Sequence, residues 1–322
     1  MAFNFITAEE AAQFVHHNDN VGFSGFTAAG TPKVVPVAIA QRAEAEHAAG
    51  RPFQIGVYTG ASTSDYVDGA LTRAKAIRSR TPYQSHKDTR AAVNSNEIAY
   101  FDMHLSHLAQ NLRYGFLGKV NVAIVEATEV TPNGEILLGN GVGATPTFCA
   151  LADKIIIELN HHDPKELRGM HDIYQPLDPP YRREIPIYKP SDRIGAPIIK
   201  VDPKKIVGIV ESYKLDGVKP FTPADETTMK IGNNVCDFLV SQLKAGLIPP
   251  QFLPLQSGVG NIANAVLGSL GSNPDIPAFE MYTEVIQDAV IDLMKEGKCK
   301  FASCCSCLLY TSPSPRDPKT SR

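Results

Sequence analysis

Short apolar runs of strand length alternate with amphipathic stretches along most of the chain. Val21-Gly22-Phe23 and positions 54–59, 120–126, 154–158 and 206–211 carry the density of apolar residues that predicts buried strands. Helical patterns fall between them, around 66–77, 104–114 and 146–152. Thr7-Ala8-Glu9-Glu10 has the spacing of a capping box and predicts a helix through about His17. Thr31-Pro32 predicts another helix start, with proline in the first turn where its missing N–H costs nothing. Val130-Thr131-Pro132-Asn133-Gly134-Glu135-Ile136 reads as a hairpin inserted into the alternation. Strand and helix alternating in this way predict an α/β fold with a mainly parallel sheet covered on both faces.

The pattern changes twice further on. Prolines at 176, 179, 180, 186, 190, 197 and 203 recur without helical period, which predicts an ordered but irregular excursion. Positions 215–223 are the expected domain boundary. Beyond it, Thr222-Pro223-Ala224-Asp225 predicts a long helix to about Ala245 with Ile231, Val235, Phe238 and Leu239 on its packed face. Strand (252–256), glycine turn, helix (261–270), strand (278–283), helix (285–296) and the start of a strand (299–303) follow. The expected organisation is therefore a first open α/β domain over 1–220 and the beginning of a second over 221–306. The second is expected to be incomplete.

The remaining residues, 307–322, are read differently. Cys307-Leu308-Leu309-Tyr310-Thr311-Ser312-Pro313-Ser314-Pro315-Arg316-Asp317 corresponds to a translated transposase-type sequencing adaptor, so the native sequence is expected to stop no later than about Ser306. Cys299, Cys304, Cys305 and Cys307 crowd together, but they lack the paired C-x₂₋₄-C spacing of a zinc site, and no metal is expected.

Composition narrows the function. The 322 residues are 43% hydrophobic, enough for a buried core, and their net charge of −3 argues against a nucleic-acid partner. No apolar run approaches the ~18 residues of a membrane span. Met1-Ala2-Phe3-Asn4-Phe5 lacks the features of a signal peptide, so a cytoplasmic enzyme is expected.

Candidate chemistry gathers near the end of the chain. Ser257-Gly258-Val259-Gly260-Asn261 follows a predicted strand and opens a predicted helix, so its backbone N–H groups and the helix dipole suit an anion. Gly258-x-Gly260-x-x-Ala263 also matches the relaxed dinucleotide fingerprint, with Glu280 and Glu284 downstream, which keeps a nicotinamide-type oxidoreductase open beside a plain tight turn. Glu284 is predicted to sit where strand gives way to helix, at the sheet edge where open α/β folds place ligands. A carboxylate there suits catalysis and is equally suited to simple stabilisation by the dipole. His104-x-x-His107 reads first as part of a packed helix with Leu105, Leu108 and Leu112, and second as a metal pair. Neither a phosphate-binding G-x-x-x-x-G-K-[ST] loop nor a G-x-S-x-G elbow occurs.

Longer stretches carry a resemblance. Ser24-Gly25-Phe26-Thr27-x-x-Gly30-x-Pro32-Lys33, Thr59-Gly60-Ala61-Ser62-Thr63, the stretches 105–107 and 112–118, Gly169-Met170-His171-Asp172-Ile173-Tyr174, 190–195, 255–261 and Met281-Tyr282-Thr283-Glu284-Val285-Ile286-Gln287-Asp288 together resemble one family. It is the acetyl-CoA hydrolase/transferase group of class I coenzyme A transferases, with the succinyl-CoA:acetate CoA-transferases as the nearest branch. The resemblance runs from about residue 3 to Ser303 and implies two CoA-transferase-type domains. It implies Glu284 as a nucleophile that becomes a glutamyl-CoA thioester, and backbone N–H groups of Val259 and Gly260 facing an oxyanion. Residues Ser257, Gly258, Val259, Gly260 and Asn261 would contact coenzyme A, which is substrate and covalent intermediate rather than a tightly bound cofactor. The implied partners are acyl-CoA and short carboxylates, and a homodimer is implied for the full-length protein. Two departures accompany it. Family members run to about five hundred residues, so a second-domain glycine-rich loop would be missing and the fragment inactive. At 215–221 an arginine of succinate-using relatives is absent. Hydrolysis of acetyl-CoA on the same scaffold is the neighbouring alternative.

Overall fold

The computed structural model describes residues 3–162, 165–218 and 224–308. The chain divides into two compact units, Met1–Ile185 with Ile194–Gly217, and Pro186–Arg193 with Val218–Arg322. Three expectations reach outside the described residues: the end of the 215–223 boundary, the Thr222-Pro223 helix start and most of the 307–322 tail.

The first unit is built on a 9-stranded sheet. Its strands are β1 (Asn20–Phe23), β2 (Ile55–Tyr58), β3 (Ile77–Thr81), β4 (Ala99–Tyr100), β5 (Val122–Val130), β6 (Glu135–Leu138), β7 (Lys154–Asn160), β8 (Ile199–Lys200) and β9 (Ile206–Ser212). β4, β3, β2, β1, β5, β7 and β9 lie side by side, and each neighbouring pair in that run is parallel. The far end of β5 forms an antiparallel hairpin with β6, and β8 adds to β6. The expected hairpin is therefore present, with Gly134 at φ 78° closing its turn.

Helices α1 (Ala8–Ala12), α2 (Val35–Ala48), α3 (Ala70–Arg73), α4 (Lys87–Asn94), α5 (Leu105–Arg113) and α6 (Thr145–Leu151) complete this unit. Burial on both faces follows from the period of two along each strand. In β5, Val122 and Ile124 join α1 and α2 in one core, whereas Ala123, Val125 and Ala127 join Leu108, Leu112 and Phe148 in the other. That is why the central strands read as continuous apolar runs.

Several helix boundaries differ from expectation. The capping box forms, with Thr7 N–H donating to Glu10 Oε2 at 2.8 Å and Glu10 N–H to Thr7 Oγ1 at 3.1 Å, but α1 stops at Ala12. α2 begins at Val35 and takes Pro36, not Pro32, into its first turn. Its N-terminus is capped from across the fold by Glu158, whose carboxylate accepts the N–H groups of Lys33, Val34 and Val35 at 2.6–3.1 Å. The expected helix over 66–77 is a π-helical turn (Asp65–Gly69) continued by the short α3, and Ile77 opens β3.

The second unit contains α7 (Glu226–Lys244), α8 (Asn261–Ser272), β10 (Phe279–Tyr282), β11 (Val285–Gln287), α9 (Asp288–Lys295), β12 (Cys299–Ser303) and β13 (Ser306–Leu308). β10 pairs with β12 and β11 with β13, both in parallel. Asp225 caps α7 by accepting the Thr228 N–H at 2.7 Å. Its packed face only partly matches the expected one: Leu239 faces inward with Gly232, Cys236 and Leu243, while Ile231, Val235 and Phe238 are exposed. Gly232 decides this, because a Cβ there would lie 2.7 Å from the Ala265 carbonyl oxygen of α8. The missing side chain lets α8 approach along that stripe.

Candidate functional site

Glu284 lies on a two-residue break, Thr283-Glu284, between β10 and β11. The pairing with the neighbouring segment continues across the break: Tyr282 faces Ser303 and Val285 faces Ser306. Both break residues are held through their backbones, Thr283 N–H donating to Ser303 O at 2.9 Å and Glu284 O accepting from Cys305 N–H at 3.0 Å. The strand-to-helix position expected for Glu284 is thus corrected. Val285-Ile286-Gln287 extends the strand, and α9 begins only at Asp288, so the start of that helix lies beyond Glu284. The Glu284 side chain is exposed, and its carboxylate accepts no hydrogen bond and forms no ion pair among the described residues.

The Ser257–Asn261 loop is tied to the residues that flank Glu284. Leu255 N–H donates to Glu280 O at 3.0 Å, and Tyr282 N–H to Leu255 O at 3.0 Å. Thr283 Oγ1 then accepts the Ser257 N–H at 3.1 Å and donates to Ser257 O at 3.1 Å. On the other side of Glu284, the fully buried Gln287 spans the turn: its Nε2 donates to Gly258 O at 2.8 Å and its Oε1 accepts the Gly260 N–H at 3.1 Å. Gly260 is the N-cap of α8 at φ 131°, a backbone region open in practice to glycine. Of the two amides expected to face an oxyanion, that of Gly260 is therefore engaged by Gln287. The Val259 N–H has no acceptor among the described residues, and its side chain is exposed. Asn261 opens α8.

The dinucleotide reading loses its structural context here. That fingerprint needs a regular strand before the loop. Positions 252–256 supply only the bridge Leu255↔Met281, with Phe252 at φ 59°.

Thr283 and Gln287 were not foreseen. Alternation would have found them, since 283, 285 and 287 point inward on an extended segment; the helical reading of 285–296 concealed it. Also unforeseen is a buried charge cluster in the first unit. Lys33 Nζ contacts Glu126, lies 3.0 Å from Asp216 Oδ1 and donates to Thr31 O at 2.9 Å. Burial alone would lower the Lys33 pKa, but Glu126 and Asp216 outweigh it and hold the ammonium well above its usual range. Burial pushes the Glu158 carboxyl up, against the three amide donors and Lys33.

The histidine pair is not packed as expected: His104 and His107 are both exposed, and only the leucine stripe of the helix is buried. His104 is the N-cap of α5 and its ring meets that of His107 edge-on at 5.6 Å between centroids, while Leu108 and Leu112, without the exposed Leu105, form the buried stripe. Among the described residues, Asp65, His86 and Asp88 stand close enough to share a cation. Arg73 already occupies that role, donating to Asp65 at 2.8 Å and to Asp88 at 3.0 Å. Among the described residues no helix is long and apolar enough to cross a membrane.

Known proteins share much of this chain. A propanoyl-CoA:succinate CoA transferase of Escherichia coli K12 is 45% identical over 302 residues, covering 94% of this chain and 61% of that protein. A succinyl-CoA:acetate CoA-transferase of Clostridium kluyveri is 40% identical over 310 residues, covering 96% of this chain and 56% of that protein. An acetyl-CoA hydrolase of Yarrowia lipolytica is 39% identical over 296 residues, covering 90% and 56%. The chain thus spans 56–61% of the length of these curated relatives. The crystal structure of RipA from Yersinia pestis shares the fold at a TM-score of 0.65 and 18% identity, over 94% of this chain and 64% of that one. Residues 3–211 match the acetyl-CoA hydrolase/transferase N-terminal domain, and the chain belongs to the acetyl-CoA hydrolase/transferase family.

Proposed function

We propose that this chain is part of a CoA-transferase that moves coenzyme A between a short-chain acyl-CoA (acetyl-, succinyl- or propionyl-CoA) and a carboxylate such as acetate, with Glu284 as nucleophile. The Glu284 carboxylate attacks the thioester carbonyl, expelling the CoA thiolate and forming a mixed anhydride. The thiolate then attacks the glutamyl carbonyl, releasing the first carboxylate and leaving a glutamyl-CoA thioester. An incoming carboxylate attacks that thioester, and the returning thiolate takes up the new acyl group and regenerates Glu284. One thioester replaces another, so no nucleotide triphosphate is consumed, and the covalent intermediate divides the exchange into ping-pong halves.

One observation carries the reading: an exposed carboxylate without a partner, fixed by its backbone between two strands, with the glycine loop before α8 tied to the residues on either side of it. Such a loop brings amide donors and a helix N-terminus to a thioester oxygen as it gains charge. A donor of this kind is worth about 2.7–4 kcal/mol in acyl transfer. Val259 N–H is the free donor in the present arrangement, and Gly260 N–H joins it only if Gln287 releases it. Relatives named acetyl-CoA hydrolase favour a second reading, in which water takes the place of the acceptor carboxylate.

The test is chemical trapping on the full-length protein encoded by the parent gene. Incubation with acetyl-CoA or succinyl-CoA, borohydride reduction and peptide mass spectrometry should show Glu284 converted to the corresponding alcohol. CoA release with Glu284 unmodified would remove it as the nucleophile. Free acetate should leave total CoA release low if the enzyme transfers, and should not affect it if the enzyme hydrolyses. Residues 1–322 assayed alongside are expected to give no product, since the described residues of their second unit form two two-stranded pairs in place of a continuous sheet.

A further inference from the structure

The chemistry at Glu284 leaves two parts of the first unit unused: helix α5, and the irregular segment that follows Gly169. They meet at an open cleft of about 310 Å³ in the first unit, close to the lower end of small-molecule sites. Three arginines line it, Arg113 from the end of α5 and Arg182 and Arg183 from the irregular segment.

These guanidinium groups are unequally engaged. Arg113 is largely buried, its side chain 14% exposed, and donates to Pro176 O at 3.1 Å. Its Nη2 is 2.9 Å from Asp178 Oδ1, an ion pair without hydrogen-bond alignment, and its Nε–H is buried with no acceptor among the described residues. Arg182 donates to Gln110 Oε1 at 2.9 Å and to Leu177 O at 3.2 Å, both uncharged or backbone acceptors. Arg183 has no hydrogen bond or ion pair among the described residues. Asp178 is the only carboxylate paired with any of the three among the described residues, so two positive charges stand without a counter-charge. Glu184 follows Arg183 in the chain but does not line the cleft.

A buried guanidinium N–H with no acceptor is costly, and a forked donor set of this kind suits the oxygens of a phosphate or carboxylate. Two uncompensated charges match a phosphomonoester, which carries about −1.5 to −2 at neutral pH, better than a monocarboxylate. Ser106, Gln110 and Thr147 add neutral polar groups, while Ala109, Pro146 and Tyr174 give an uncharged wall for the rest of a ligand.

We propose that this cleft binds a small molecule bearing a phosphomonoester, its phosphate held by Arg113, Arg182 and Arg183. The site belongs to the first unit alone and stands whether or not Glu284 is the nucleophile. The same chemistry is offered by a free nucleotide and by the nucleotide end of coenzyme A.

Isothermal titration of the 322-residue chain with AMP, and with adenosine as the phosphate-free control, tests it. AMP should bind and adenosine should not. Arg183→Gln, at an exposed side chain without a partner, should weaken AMP by about 10-fold, the loss of one charge-assisted contact, with an unchanged melting temperature. Arg182→Gln should weaken it to a similar degree. Coenzyme A displacing AMP where pantetheine does not would assign the site to the nucleotide end of coenzyme A. AMP binding that survives saturating coenzyme A would assign it to a free phosphate ester. No binding of AMP, equal binding of adenosine, or AMP affinity unchanged in both variants would overturn the proposal.

Discussion

Replacing Gln287 by leucine should loosen the loop before α8 more than any other single change in the second unit. The side chain is fully buried, so water cannot take the place of the carboxamide. Gly258 O would lose its 2.8 Å bond from Gln287 but keep the weaker one from Ser257 Oγ at 3.2 Å. That loss is worth about 0.5–1.5 kcal/mol. The Gly260 N–H would also lose its acceptor, but it is half-buried and can turn to water, so that loss is again worth about 0.5–1.5 kcal/mol. The sum is about 1–3 kcal/mol. Leucine fills a similar volume, so a cavity adds little. Hydrogen–deuterium exchange of the 322-residue chain reads this directly: exchange at the Gly260 amide should rise by about tenfold or more, since 1.4 kcal/mol is a factor of ten. Peptides from β5 and β7, in the first unit, should not change. An unchanged Gly260 amide in the leucine variant would refute the account, and with it the claim that Gln287 holds the turn.

Two further changes test the first unit. Lys33→Met takes the cation away from buried Glu126 and half-buried Asp216 and should cost about 3–5 kcal/mol in urea unfolding of that unit. Because the folded Lys33 pKa is raised, its contribution is complete below the ordinary lysine pKa and is lost only as pH climbs through the higher folded value. The gap between wild type and variant should therefore stay level from about pH 7 to pH 9, and a gap that closes by pH 9 would contradict the pairing. Gly22→Ala would put a methyl 2.6 Å from the Phe148 ring and should lower stability by about 1–3 kcal/mol, measured by the same unfolding curve. A neutral result there would mean that α6 shifts freely over β1.

What the sequence made legible follows from which interactions are local. The strands at 54–59, 120–126, 154–158 and 206–211 stand out because burial on both faces leaves them almost continuously apolar. β3 does not, because its inward position is taken by Arg80, fully buried and bonded to Asp68 Oδ1 at 2.8 Å and to the Ser62 and Thr81 carbonyls. An arginine in a run of Ile-Arg-Ser-Arg-Thr reads as surface, and its partner sits in an unusual π-helical turn that no periodicity announces. The start of α2 was misplaced for a similar reason: its cap, Glu158, comes from a strand more than a hundred residues away. At α7 the apolar period was correct and the face only partly so, since a glycine's contact with another helix outweighed three larger side chains. Glu284 is the limiting case. It is exposed and without partners among the described residues, so neither composition nor burial distinguishes it; its predicted place at a sheet edge made it a candidate, and the resemblance over 281–288 gave it a role.

The distribution of buried polar groups in the first unit bears on where ligands can bind. Open α/β sheets place ligands at the carboxyl ends of their parallel strands. Here those ends carry Ser24 after β1, Thr59 after β2, Glu126 within β5, Glu158 and Asn160 in β7 and Ser212 in β9, all of them buried. Most are already committed to one another. Ser24 Oγ donates to Gly30 O at 2.8 Å and accepts the Glu126 N–H at 2.9 Å, Asn160 Nδ2 donates to Glu126 Oε2 at 3.2 Å, and Glu158 is taken up by the first turn of α2. The glycine loops above them close the remaining space: Gly25 bridges Gly143, and a Cβ on Gly30 would stand 2.8 Å from the Gly141 carbonyl oxygen. An edge whose donors and acceptors satisfy each other holds loops in place; it does not wait for an anion. Ser62 and Ser212 hydroxyls are exceptions there, buried without partners among the described residues. Charge without a counter-charge among the described residues is found elsewhere, including Arg182 and Arg183 at the cleft of the first unit and Glu284 in the second. For that reason chemistry is looked for at the cleft proposed to bind phosphate and at Glu284, the proposed nucleophile, and the buried Lys33 cluster is expected to answer to stability measurements alone.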